Sequence, residues 1–355
     1  MAGKITAKMV KELRDKTGVG MMDAKKALVA KDGNLEQAIT FLKEKGFAAS
    51  AKKADRIAAE GLVAVVSSDD NKVATIAEVN CETDFVGKND NFKNFVLDVA
   101  NFVNTNNIDS VETLMAQKKE DLTFEEIQSS LVATIGEKIT TRRFATLKSD
   151  YVHTYLHMTG RVAALVAFKA EDASIVENDK FKALAKNICM HIASMKPSKL
   201  SYKELDATFV EEETKGIVEK TKKDNEERKR LGKHLHNVPR FISKLQLTDE
   251  VLKTIEAEIK QELLDSGKPE KILGKILPGK MERFIADNTL LDQELCLLDQ
   301  FYVMDDKKSV GTIIEEFSKT IGSKIEVAEF VRYEVGDGLE KRVENFAEEV
   351  ASQMK

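Results

Sequence analysis

The chain has 355 residues, 42% of them hydrophobic and 32% charged, with a net charge of -5; that length exceeds what one core usually organises, so several domains are expected. The anionic balance argues against a general DNA or anionic-membrane binder, because phosphate contacts need a cationic surface. Cys81, Cys189 and Cys296 lie far apart without a CxxC pair, which suggests neither a zinc site nor a disulfide framework and fits a reducing cytoplasm.

The opening "MAGKITAKMVKELRDK" has no uninterrupted apolar stretch and reads as ordered helix, unlike a secretory signal or a transit peptide. The longest apolar runs, such as "VAALVAF" at 162–168, are far too short to span a bilayer. A cytoplasmic protein is expected. Thr6 can cap a helix in which Met9, Val10 and Leu13 share a face, and "TGVG" at 17–20 ends it. Met21 to Lys31 reads as a second helix. Asn34 caps a third, with Gln37 placed to close a capping box and Leu35, Ala38, Ile39 and Leu42 on one face. Gly46 is expected to stop it. Residues 1–55 thus form a small helical bundle, and "AASAKKADRIAAEG" connects it to a larger body.

From Gly61 the period becomes alternating, and "GLVAVVSSDDNKVATIAEVNC" reads as two strands joined by a polar turn at Ser67 to Asn71. A helix follows with Phe92, Phe95, Val96, Val99, Phe102 and Val103 as a core-facing stripe. An internal echo comes next. "GRVAALVAF" at 160–168 resembles "GLVAVVSS" at 61–68, and "NDKFKALAKNICMHIA" at 178–193 resembles "NDNFKNFVLDVANFV" at 89–103. Two half-cores are therefore expected, at 56–145 and at 146–204 with 284–335. The second copy lacks an immediate return strand, for which "CLLDQFYVM" at 296–304 and "IEVAEFVRYEV" at 325–335 are candidates. Between them, residues 205–283 form an insertion. Its stretch 205–235 is dense in mixed charge with thin apolar spacing, as in an exposed helical hairpin or coiled coil. The fold class is α+β.

Chemistry-bearing motifs are sparse. His153 and His157 in "YVHTYLH" have the i,i+4 spacing that metal sites use on helices, but no acidic or cysteine ligand stands beside them and the stretch leads into a strand. Neither a phosphate-loop nor a dinucleotide fingerprint occurs, so no cofactor and no direct nucleotide binding are expected. The loop "NCETDFVGKND" at 80–90 is different. Alternation from Val73 carries Phe85 into the core if the strand continues, whereas Glu82, Asp84 and Gly87 favour a turn that leaves Phe85 outside.

The words "KELRDKTGVGMMDAKKAL" at 11–28, "VNCETDFVGKND" at 79–90, "MHIASMKPSKLS" at 190–201, "GKPEKI" at 267–272, "DDKKSVG" at 305–311 and "FVRYEVGDGLEK" at 330–341 stand in a fixed order. Together they resemble the bacterial elongation factor Ts family. Between Lys203 and about Gln246 the chain carries about forty residues that shorter members of that family lack. The resemblance implies a UBA-like three-helix bundle, a core of two related α/β subdomains, and a C-terminal helical module at 336–355 with Leu339, Val343, Phe346 and Val350 as its stripe. It implies guanine-nucleotide exchange on elongation factor Tu, without covalent chemistry of the chain's own. It assigns Thr83, Asp84, Phe85 and Val86 to displacing the partner's Mg²⁺ site, and gives partner contacts to Met21, Met22 and His157. A homodimer through the helical insertion stays open. Two rivals are a non-catalytic adaptor that uses the N-terminal bundle, and a metal-dependent enzyme around His153 and His157.

Overall fold

A computed structural model of the chain describes residues 5–340. Val343, Phe346 and Val350 of the expected C-terminal module lie outside the described residues. The chain divides into two units, one running to Ala193 and resuming at Glu326, the other spanning Ser194–Ile325.

The first unit begins with three helices, the first and third capped by side chains. Thr6 accepts a hydrogen bond from the Met9 N–H (3.3 Å) to open α1 (Ala7–Thr17). α2 (Met21–Ala30) follows, and Asn34 accepts from the Gln37 N–H (3.0 Å) to open α3 (Leu35–Ala51). Val10, Leu13, Ala24, Leu28, Ala38 and Leu42 form their shared core. α3 does not stop at Gly46 but runs on to Ala51. A Cβ at Gly46 would stand 3.2 Å from the Ser129 carbonyl carbon, so this glycine serves a close helix crossing rather than a helix end.

β1 (Glu60–Ser67) and β2 (Val73–Cys81) form an antiparallel hairpin. A single turn of 3-10 helix at Val86–Lys88 leads into α4 (Asp90–Asn106), which Asn89 caps. After α5 (Val111–Ala116), the small hairpin of β3 (Lys118–Lys119) and β4 (Leu122–Thr123), and α6 (Phe124–Ile135), β5 (Ile139–Lys148) pairs with β2. The strand order is β1-β2-β5.

The same order of elements then recurs. β6 (Tyr151–Leu156) and β7 (Val162–Ala170) form an antiparallel hairpin, a 3-10 turn at Ala173–Glu177 follows, and α7 (Asp179–Met195) comes next. "GRVAALVAF" is thus the second strand of its hairpin, the positional counterpart of β2 rather than of β1. Its partner precedes it, in the histidine-bearing stretch whose alternation is masked by polar residues. Far along the chain β10 (Ile325–Glu334) completes the sheet in the order β10-β7-β6.

Both faces of β1 and β2 are covered, which explains their near-continuous apolar reading. Ala64, Ala77, Val79 and Cys81 face α4 with Phe92, Phe95 and Val99. On the other side Val63, Ala74, Ile76 and Leu147 meet Val152, Leu165 and Val335 of the second sheet. The two sheets therefore stack, and Phe181 of α7 packs edge-on against Tyr151 and Phe168 (5.2 and 5.4 Å between ring centroids).

The second unit contains the expected insertion and also residues 284–325. α8 (Ala207–Arg230) is one long helix of 24 residues, about 36 Å at 1.5 Å per residue. The chain returns beside it as an irregular arm, tied where Asn225 exchanges two hydrogen bonds with the backbone of His236 (2.8 and 2.7 Å). α9 (Asp249–Asp265) and α10 (Glu270–Asp287) pack against each other. α11 (Leu290–Leu295) follows, then a hairpin of β8 (Phe301–Tyr302) with β9 (Asp305–Ser309), and α12 (Val310–Ile321). "CLLDQFYVM" therefore supplies β8 and its preceding turn, not a strand of either large sheet. Among the described residues no helix is long and apolar enough to cross a membrane.

Candidate functional site

β2 ends at Cys81, and the chain bends outward before re-entering at α4. The turn is closed by the backbone: Gly87 N–H donates to the Asp84 carbonyl (3.2 Å), Lys88 N–H to Phe85 (3.1 Å) and Asn89 N–H to Val86 (2.9 Å). Val86 is 4% exposed and joins the core of α4, while Phe85 is 73% exposed at the tip. Of the two sequence readings, the turn is the one present. Lys88 Nζ lies 5.1 Å from the Phe85 ring centroid. Asp84 is exposed beside it.

Thr83 is half-buried and fastened. Both its N–H (2.9 Å) and its hydroxyl (2.7 Å) donate to Glu137. Glu82 accepts from the Lys138 N–H (2.6 Å) and from Arg56 (3.2 Å). So the four residues expected to act together divide in two: Asp84 and Phe85 project, and Thr83 and Val86 hold.

The turn between β6 and β7 lies beside this bend. His157 N–H donates to the Val162 carbonyl (2.9 Å), Gly160 N–H to His157 (2.8 Å), and Val63 N–H to Gly160 (2.8 Å). A Cβ on Gly87 would sit 3.6 Å from a Leu62 methyl, and one on Gly160 would sit 2.9 Å from the same carbon. One leucine of β1 thus separates the Phe85 bend from the His157 turn. Arg161, next in sequence, pairs with Glu60; that pairing above all, with the Asp84 charge adding to it, holds its guanidinium above the ordinary value. His157 is exposed and its Nδ1 lies 3.2 Å from the Tyr155 hydroxyl. Met158 is 97% exposed and Leu156 43%. Phe85, on the bend, and Leu156 and Met158, on β6 and its turn, are thus exposed apolar side chains.

Met21 and Met22 sit on α2, 45% and 64% exposed, whereas Ala24, Ala27 and Leu28 of the same helix are buried. Neither belongs to the bundle core. His153 is half-buried on β6, where burial chiefly, aided by Lys186, holds its imidazole below the ordinary range. His153 and His157 stand on a strand and its turn rather than on a helix. Among the described residues, no three His, Cys, Asp or Glu side chains are grouped to hold a metal ion. All three thiols are buried, and burial pushes Cys81 and Cys296 up to about 12.

A family model described as elongation factor TS matches residues 82–236 and 234–337. An elongation factor Ts of Campylobacter curvus is 49% identical over 354 residues, covering 99% of each chain. The chain belongs to the elongation factor Ts family. Elongation factor Ts proteins of Helicobacter hepaticus (48% over 356 residues) and Helicobacter pylori (49% over 354) also cover 99% of each chain. The family name makes this a translation elongation factor. Such end-to-end matching means that elongation factor Ts relatives of this length include the region of α8. Sequence reading used Glu82 only as a turn signal and missed Glu137, the two acids that fasten the elongation factor Ts bend. Glu137 lies 54 residues from Thr83, and no local pattern links them. Leu62 was equally hidden, as one apolar residue in a strand full of them.

Proposed function

We propose that the chain is a guanine-nucleotide exchange factor for elongation factor Tu. It binds the GDP-loaded GTPase, disturbs the Mg²⁺ and phosphate site, releases GDP, and holds the empty form until GTP enters. The observation that carries this reading is the solvent-exposed Phe85, presented on a bend whose two ends are fixed. A soluble protein gains nothing for its own stability from such a ring, whereas a partner pocket does.

The energetics follow from linkage. A factor that binds the empty GTPase more tightly than the loaded one must weaken nucleotide binding by the same ratio. Burying one phenylalanine contributes about 1.5–3 kcal/mol, or roughly tenfold to a hundredfold if gained in the opened state alone. Asp84 and Phe85 would make the intrusion, with Thr83 and Val86 as its supports. Further affinity would come from Met21 and Met22, whose flexible thioethers suit a partner surface, and from His157 beside the same bend. This division agrees with a UBA-like bundle and two related α/β subdomains serving as separate contact surfaces. Exposed Phe209, Leu231 and Leu235 along α8 and its returning arm support a surface for pairing two copies. Sedimentation at rising concentration reads that directly.

The deciding experiment preloads elongation factor Tu with a fluorescent GDP analogue and follows release by stopped flow. Phe85→Ala is expected to slow catalysed release by at least tenfold, and to reduce association with the GTPase less. Release at the wild-type rate would remove Phe85 from the mechanism.

A further inference from the structure

The exposed Phe85 ring has little packing of its own, so its direction is set by the backbone on either side. Val86 fixes one side by burial. The other side is fixed by an exchange between two loops. Glu137, in the turn between α6 and β5, accepts both the N–H (2.9 Å) and the hydroxyl (2.7 Å) of Thr83. In return the Lys138 N–H donates to Glu82 (2.6 Å). Two adjacent residues of the bend thus trade hydrogen bonds with two adjacent residues of the second turn. That turn is itself anchored, since Lys138 Nζ donates to the carbonyls of Ala54 (2.6 Å) and Arg56 (2.9 Å). Hydrogen bonds to a carboxylate are shorter and stronger than neutral ones, and two from one residue also fix orientation.

We propose that Glu137 is a positioning residue for Phe85, holding the bend in its docking-competent shape before any partner arrives. The proposal rests on the exchange-factor reading above and deepens it. A loop ordered in advance spends no conformational entropy at docking, and a loop competent about a tenth of the time acts about tenfold more weakly.

The test uses the full chain and elongation factor Tu carrying a fluorescent GDP analogue. Glu137→Ala is expected to slow catalysed release about tenfold. Glu137→Gln should lose little, because its carbonyl accepts the Thr83 N–H and its amide meets the Thr83 hydroxyl. In the free protein, amide hydrogen exchange at Thr83 should quicken in the Ala variant and not in the Gln variant. With Asp84→Ala and Phe85→Ala both already present, Glu137→Ala should have no further effect on release. Losses that multiply in the combined variant, or unchanged exchange at Thr83, overturn the positioning role. A normal release rate for Phe85→Ala alone overturns the wedge itself, and Glu137's role with it. Slow Phe85→Ala beside fast Glu137→Ala overturns the positioning alone.

Discussion

Phe85 and Val86 are adjacent, both apolar, and placed on opposite sides of the molecular surface. At 4% exposure Val86 lies in the core with Phe92 and Val99, whereas Phe85 at 73% faces water. Composition cannot separate the two; the bend after Cys81 does. Truncation therefore has opposite readouts. Val86→Ala removes buried methyl groups and leaves a space beneath the bend, costing about 2 kcal/mol on the scale of about 0.8 per buried methylene plus a cavity contribution. Phe85→Ala should shift stability by no more than about 0.5 kcal/mol, as surface substitutions do. Urea titration of both variants beside the wild type checks the pair. A Phe85→Ala as unstable as Val86→Ala would mean that the ring packs inside its own molecule.

At the scale of elements, α6 shows how one segment serves two others. Thr123 and Glu126 form a reciprocal cap, each side chain bonding the other's backbone N–H (3.2 and 3.0 Å). Glu126 also meets Lys43 of α3 (2.8 Å), so the cap joins the N-terminal bundle to the core. Burial pushes the Glu126 carboxyl up, but the Lys43 ammonium and the Thr123 N–H outweigh it and hold the group below its ordinary 4.5. A carboxyl depressed in the folded state stabilises at pH above its unfolded value, and that contribution fades as pH falls through the folded value. Glu126→Gln should thus be less stable than the wild type at neutral pH, with the gap closing well below pH 4.5. Denaturant titrations at the two ends read the difference; a constant gap would rule out the ion pair as its source. Local signals of this kind were legible: Thr6 and Asn34 as caps and the Phe92–Val103 stripe, while the pattern around Phe85 left strand and turn both open. What escaped reading depended on distant neighbours. Gly46 reads as a stop until Ser129 is seen against it. β6 hides among polar residues because its core contacts come from the first sheet, β7 and α7. Glu137 has no sequence mark at all, since the residue it grips is on another loop.

Across the whole molecule, the last strand of the first unit must find its sheet after the entire second unit has intervened. One buried carboxylate ties that return. Glu78 of β2 is fully buried. It accepts from Arg142 (3.1 Å) and Arg143 (2.6 Å) of β5, from Asn80 (3.1 Å), and from the Gly336 N–H (2.9 Å) just past β10. The same two arginines reach the carbonyls of Asp337 (2.5 Å) and Glu334 (3.4 Å). Gly336 has φ +73°, and a Cβ there would stand 2.1 Å from the Ala59 carbonyl oxygen, so no larger residue fits. The first sheet and the exit of the second are therefore held by one group of charges. Removing the carboxylate leaves two arginines, 21% and 30% exposed, and the Gly336 N–H without this partner, at a cost of about 1–3 kcal/mol. Glu78→Ala should lose that much in urea unfolding. Hydrogen exchange locates the loss: protection should fall along β10 as well as β2 and β5, because the carboxylate joins all three. If β10 kept its protection while β2 lost its own, the long return would be closed by the apolar contacts of Val331, Tyr333 and Val335 alone, and Glu78 would be a local pin of the first sheet.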